Sequence, residues 1–231
     1  MLRWRVATGL TLAPIVLGAI ALGYWSSFGY WTLLALVLVV VARSAFELAR
    51  ALNPLPFVAA LGAGAMPVLF SLPFGANGYG STGILAGAVL SLPWTLLWLA
   101  ARPEARTLRA ILAILLMTLW IGVPLAHMGL LAGMKNGVTL ILITVVGPWI
   151  SDAGAYFAGL FFGRHLLFPS LSPKKTVEGS VGGLLLATLA IGWVSYQFLG
   201  FTIVESVVMG AVVSVFSQSG DLFESLLKRL L

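Results

Sequence analysis

The 231-residue sequence has no cysteine and only two histidines. Disulfides and thiolate metal ligands are excluded. His127 and His165 lie far apart and without ligand spacing, so a histidine-based metal site is excluded too. Charge is scarce: Asp, Glu, Lys and Arg make up 9% of the residues, against about 25% in an ordinary soluble domain. The Gly-x4-Gly-Lys spacing of a P-loop is missing, and no internal repeat stands out. The apolar run after Met1-Leu2-Arg3-Trp4-Arg5 lacks a small-residue cleavage site, so it reads as an uncleaved first helix rather than a signal peptide.

Hydrophobic residues make up 60% of the chain, and its mean hydropathy is +1.06. A water-soluble fold of this size would keep a sticky surface; a bilayer removes the difficulty. The expected fold is all-α, a polytopic integral membrane bundle of about eight helices, each needing roughly 20 apolar residues. The candidate spans are Val6–Leu22, Tyr30–Val41, Leu55–Leu72, Ile84–Ala100, Ala110–His127, Val138–Phe161, Val181–Leu199 and Thr202–Ser217. The Gly-, Pro- and Ser-rich stretch Ser71–Thr82 reads as a loop. The whole chain, 1–231, reads as a single membrane domain, with N-terminal helices over 1–137 and a motif-bearing half over 138–231.

The formal charge is +6, but the bases are spread thinly between apolar runs. They read as topology signals and headgroup contacts, and nucleic acid is excluded as a partner. With these spans, Arg3, Arg5, Arg43, Arg50, Arg102, Arg106, Arg109, Arg164, Lys174, Lys175, Lys228 and Arg229 share one side. Of the thirteen Lys and Arg, only Lys135 is left opposite. The crowded side, with the N-terminus and the working residues, is expected to face the cytoplasm. The many Trp and Phe residues read as interface anchors and lipid-facing bulk.

Three constellations carry chemistry. Asp152 lies inside an apolar span, where a carboxylate costs about 2.5–3.5 kcal/mol on insertion scales, so it should face a cavity or a partner. The segment Ser170–Gly183 is the densest polar stretch. Ser172 is expected to cap a helix starting at Pro173, and that helix start suits a phosphate. Lys174 and Lys175 are unfavourable for the dipole there, which hints at an anion. Gly179, Gly182 and Gly183 allow close approach of a helix or a ligand. Finally, Gly220–Arg229, if helical, places Asp221, Ser225 and Lys228 on one face beside Glu224. Carboxylates there suit Mg²⁺ shared with substrate phosphates. The bland alternatives are an Arg-paired carboxylate, a small-residue packing face and an amphipathic interfacial helix.

The elements Ser151-Asp152-Ala153-Gly154-Ala155-Tyr156-Phe157, Ser172-Pro173-Lys174-Lys175-Thr176-Val177-Glu178-Gly179 and Gly220-Asp221-Leu222-Phe223-Glu224-Ser225-x-x-Lys228-Arg229 resemble, in order and spacing, the bacterial phosphatidate cytidylyltransferases, or CDP-diacylglycerol synthases. The resemblance covers Val138–Leu231; the earlier spans match mainly in hydropathy. It implies Mg²⁺-dependent transfer of CMP from CTP to phosphatidic acid, giving CDP-diacylglycerol and pyrophosphate. Asp152, Lys174, Lys175, Glu178 and Asp221 would be catalytic. Ser172, Lys174, Lys175, Thr176, Ser225, Lys228 and Arg229 would contact substrate phosphates, with Asp221 and Glu224 on the metal. The implied partners are CTP, phosphatidic acid and the lipid bilayer, and a homodimer is allowed. In the family the Lys-Arg element is followed by a Lys-Asp pair, a Pro-Gly-His-Gly-Gly run and an Asp-Arg-x-Asp element. The sequence stops at Leu231 before them, so the expectation is a chain truncated ahead of the last signature motif. The rival readings are a small membrane transporter, for which related halves would be expected, and an inactive lipid-binding remnant. Prenyl-lipid cytidylyltransferases share the same chemistry.

Overall fold

A computed structural model describes residues 18, 29–51, 56–75, 80–101, 108–170 and 172–230. The expected first span, Val6–Leu22, falls almost wholly outside them. Among the described residues, six helices are long and apolar enough to cross a membrane, and a shorter apolar one covers Phe57–Ser71. The protein is a polytopic helical membrane protein. The helices run past most of the expected bounds, and the expected loop at Ser71–Thr82 is largely helix: α2 continues to Gly75 and α3 begins at Gly80.

The chain divides into two compact units, Met1–Val138 and Thr139–Leu231. In the first, α1 (Gly29–Ala51), α2 (Phe57–Gly75), α3 (Gly80–Ala101), α4 (Leu108–Leu116) and α5 (Val123–Ala132) surround a core of Val37, Val41, Ala63, Ile84, Ile114 and Met117. Lipid tails are as apolar as leucine, so helices associate here through close packing and interhelical hydrogen bonds. Both devices are present. A side chain at Gly122 would run into the Gly64 carbonyl. A wider π turn over Met117–Gly122 presents Thr118, whose hydroxyl lies 3.1 Å from Ser91 Oγ and can donate to Ala63 O at 3.2 Å or to Ile114 O at 3.1 Å. His127 lies within α5, its Nδ1 2.7 Å from Val123 O.

The second unit is built on α6 (Gly137–Phe162), α7 (Val177–Val194, extended by a π turn over Ser195–Leu199) and α8 (Ile203–Leu230). Between α6 and α7 a hairpin pairs β1 (Leu166–Phe168) antiparallel to β2 (Ser172–Thr176), with Leu166 opposite Thr176 and Phe168 opposite Ser172. Gly200, at φ 72°, takes the left-handed conformation that ends the α7 extension. The Gly220–Arg229 segment is no separate interfacial helix; it is the last part of α8.

Candidate active site

The site grows from glycines. On α6 and α7 the backbones come into near contact. A Cβ at Gly183 would stand 2.6 Å from Ser151 O, one at Gly179 2.8 Å from Ala155 O, and one at Gly154 2.9 Å from Gly182 O. The expected role of Gly179, Gly182 and Gly183 in close helix approach is realised here against α6. At the end of α6, Gly163 donates its N–H to Gly159 O at 3.0 Å and the hairpin begins.

The structure corrects the expected helix start. Ser172 does not cap a helix, and Pro173 is in β2. The pairing with Leu166–Phe168 holds Ser172–Thr176 extended, so the local Ser-Pro signal is overridden by a partner strand. The cap is Thr176, whose Oγ1 accepts from Gly179 N–H at 3.1 Å. Lys174 and Lys175 therefore stand on a strand that leads into the helix N-terminus, not on its first turn.

Glu178 closes this joint. Its Oε2 accepts from the backbone N–H of Arg164 at 3.1 Å and of His165 at 3.2 Å. Its Oε1 accepts from His165 Nδ1–H at 2.7 Å, since an ionised carboxylate only accepts. Val177 N–H donates to His165 O at 2.9 Å. This clasp fixes the turn that positions the lysines. Glu178 itself does not line the cavity beside it, so it braces the loop.

That cavity has a volume of about 480 Å³. One face of α6 lines it with Asp152, Ala155, Tyr156, Gly159 and Leu160, at helical spacing. Lys174, Lys175, Thr176, Gly179 and Ser180 line it from β2 and α7, and Gln218 and Asp221 from α8. Asp152 lies about ten residues, roughly 15 Å, inside the end of α6, so the cavity runs from the hairpin into the apolar depth of the unit. Lys175 Nζ donates to Asp221 Oδ2 at 3.0 Å. Asp152 is within electrostatic reach of Asp221 and Lys175 and accepts no hydrogen bond among the described residues. Lys174 is exposed and makes no ion pair among the described residues.

Beneath the cavity runs a neutral hydrogen-bonded chain. Ser151 and Ser214 are fully buried, with their hydroxyls 2.8 Å apart. Gln218 Nε2 lies 3.1 Å from Ser214 Oγ and 3.1 Å from Ser180 O. The chain joins α6, α8 and α7 next to the residues that carry the charges.

Of the residues singled out from sequence, Asp152, Lys174, Lys175, Thr176 and Asp221 meet at this cavity. Ser172, Glu178, Glu224 and Ser225 do not line it. Ser225 Oγ donates instead to Asp221 O at 2.9 Å, a bond within the helix. Glu224 follows Asp221 by three positions on α8 and is exposed. Lys228 and Arg229 are on the last turns of α8, and their side chains lie outside the described residues. Among the described residues no three or more His, Asp or Glu side chains cluster as a metal cage. Sequence reasoning missed Tyr156, Ser180 and Gln218. Gln218 falls just past the expected span Thr202–Ser217, among Ser217, Ser219 and Asp221, where an amide does not stand out.

A model of the cytidylyltransferase family matches residues 3–231, and the chain belongs to that family. Among its relatives, the phosphatidate cytidylyltransferase of Aquifex aeolicus (strain VF5) is 42% identical over 89 residues, 38% of this chain and 33% of the relative. That of Bacillus subtilis (strain 168) is 41% identical over 96 residues, 41% of this chain and 36% of the relative. That of Staphylococcus saprophyticus is 40% identical over 97 residues, 41% of this chain and 37% of the relative. The chain thus spans about a third of the length of each of these curated relatives in the matched stretch.

Proposed function

We propose that this protein is a CTP:phosphatidate cytidylyltransferase, which moves CMP from CTP onto phosphatidic acid and releases pyrophosphate. The reaction runs at the cytoplasmic face of a bacterial inner membrane. The observation that carries this reading is one cavity that gathers two lysines and two aspartates at a helix joint and reaches into the apolar layer. It supports a reaction between a soluble polyanion and a phosphate that arrives on a lipid.

The orientation follows from charge. In the unit from Thr139 onward, Arg164, Lys174, Lys175, Lys228 and Arg229 all fall at the hairpin end of the helices. The connection at the other end, 200–202, carries no cation. The positive-inside rule places the hairpin end, and the cavity mouth with it, in the cytoplasm.

An oxygen of the lipid phosphate forms a bond to the α-phosphorus of CTP. The bond from that phosphorus to the oxygen bridging toward the β-phosphate breaks, and pyrophosphate departs with the electron pair. Both reactants are polyanions, so the barrier is mostly one of positioning and charge cancellation. Lys174, exposed and without an ion pair among the described residues, receives the incoming phosphates. Lys175, held by Asp221, presents a second cation at a fixed place. Tyr156 and Leu160 offer apolar surface on the α6 wall of the cavity, between Asp152 and the hairpin.

Mg²⁺ is ordinarily held by one or two carboxylates together with substrate phosphates and water, not by an all-protein cage. Asp152 and Asp221 on one cavity fit that donor set, and Asp152 replaces Glu224 as the second expected ligand. When bound, the ion would supply charge neutralisation at the reacting phosphates.

The test is labelled CTP with phosphatidic acid and Mg²⁺ on the purified protein. Labelled CDP-diacylglycerol is expected, and Lys174→Ala should lower kcat/KM by on the order of a hundredfold, the scale of one lost preorganised charge contact. Absence of labelled lipid, with substrate flux into liposomes in its place, would refute the assignment and favour transport.

A further inference from the structure

The cytidylyltransferase reading accounts for the charged groups of the cavity but leaves Gln218 unused. Its amide is held in one orientation. One neighbour of the terminal group is a backbone carbonyl, Ser180 O, which can only accept. The nitrogen must therefore face it, and this settles the assignment of nitrogen and oxygen. The second N–H is directed at Ser214 Oγ. The nitrogen is also packed against α7, 3.2 Å from where a Cβ on Gly183 would stand.

The other end of the amide is left to the cavity, which Gln218 lines. Oε1 receives no hydrogen bond among the described residues. It is not shut away either: among the described residues the buried side-chain polar atoms without partners are Thr188 Oγ1, Ser195 Oγ and Ser206 Oγ. Gln218 thus presents a neutral acceptor with no proton to give, one helical turn from Asp221, about 5 Å along the axis.

We infer that Gln218 Oε1 is a specificity contact that accepts a hydrogen bond from the nucleoside part of the nucleotide. The inference rests on the cytidylyltransferase reading and extends it. The chemistry of the two reactants decides between them. Fully ionised phosphatidate, the form whose oxygen attacks, has no N–H or O–H, because both glycerol hydroxyls are acylated. CTP has donors in two places, the sugar hydroxyls and the exocyclic amine of the base. Either meets a fixed carbonyl oxygen well. An analogue that lacks the donor leaves that oxygen unpaired in the closed complex, which is how polar sites discriminate most strongly.

The test is equilibrium binding of CTP, 2′-deoxy-CTP, 3′-deoxy-CTP and UTP to the protein in nanodiscs, for the native chain and for Gln218→Met, which keeps the volume and removes the amide. The Met variant should bind CTP about 3- to 10-fold more weakly, the range of a single neutral hydrogen bond. Its KM for phosphatidic acid should stay within about twofold of native, since the lipid supplies no donor to this oxygen. It should also lose a preference that the native protein has. Loss of CTP over one deoxy analogue identifies the hydroxyl missing from it as the donor, and loss of CTP over UTP identifies the base amine. A folded Met variant that keeps every native preference overturns the inference and leaves the cytidylyltransferase reading standing. Gln218→Glu is no substitute if Gln218→Met does not fold, because its carboxylate has no N–H for Ser180 O. In that case the native protein decides: a fixed acceptor must penalise the analogue that lacks its donor, so equal affinity for CTP, its deoxy analogues and UTP overturns the inference. A native protein that neither binds CTP nor makes CDP-diacylglycerol removes both readings together.

Discussion

Two glycines of the second unit should respond in opposite directions to the same change. At Gly183 an added methyl would stand 2.6 Å from Ser151 O, 3.1 Å from Ala155 Cβ and 3.2 Å from Gln218 Nε2. The first two belong to the body of α6 and cannot swing aside. Relief to an ordinary contact near 3.4 Å needs α6 and α7 to part by about 0.8 Å. Overpacking of this kind costs about 1–3 kcal/mol, against a gain of about 0.5–1 kcal/mol from replacing a mid-helix glycine. Gly183→Ala should therefore destabilise by about 1–2 kcal/mol. It should also impair transfer, because Ser151 precedes Asp152 and Gln218 precedes Asp221 by one turn. At Gly220, within α8, a Cβ would meet nothing within 4 Å. Gly220→Ala should stabilise by about 0.5–1 kcal/mol through the helix term alone. Both are read from the midpoint of detergent-induced unfolding, followed by tryptophan fluorescence. A Gly183→Ala protein as stable as native, or a Gly220→Ala protein less stable than it, would refute the packing argument.

Two further outcomes follow from the site. Asp221→Asn and Lys175→Ala should each reduce kcat/KM by on the order of a hundredfold. The double variant should fall well short of the product of the two, since partners 3.0 Å apart act on one site; strictly multiplicative losses would place them in separate roles. Thr176→Val keeps the strand-favouring shape and removes the oxygen that caps α7. It should cost about 1 kcal/mol in the same unfolding assay, and an unchanged midpoint would show that the cap contributes nothing.

The charges were the legible part of this site, because a charge in an apolar sequence has few reasons to be there. Asp152, Lys175 and Asp221 stood out singly, and the structure places them around one cavity. The hairpin was not legible. Ser172-Pro173 carries a strong local helix-start signal, and only pairing with Leu166–Phe168, a contact outside the local window, makes it a strand. Glu178 looked like a cavity group because its neighbours are; its partners, the backbone of Arg164 and His165, lie more than ten residues back in the chain. Glu224 looked interchangeable with Asp221, as both are carboxylates on α8, but only Asp221 lines the cavity. Among the spans, the helical periods were readable and the ends were not. Apolar runs mark where lipid must be met, whereas helix ends are set by caps such as Thr176 and by turns such as Gly200.

The neutral chain from Ser151 through Ser214 and Gln218 to Ser180 gives the cavity two mechanical regimes. Its foundation contains no ionisable group, so added salt or a shift in acidity leaves those hydrogen bonds alone. Its entrance is made of exposed or half-exposed charges, Lys174, Lys175 and Asp221, which salt screens readily. On the proposed reading, the capture of anionic reactants would follow the ionic conditions at the membrane surface, while the contacts beneath them would not.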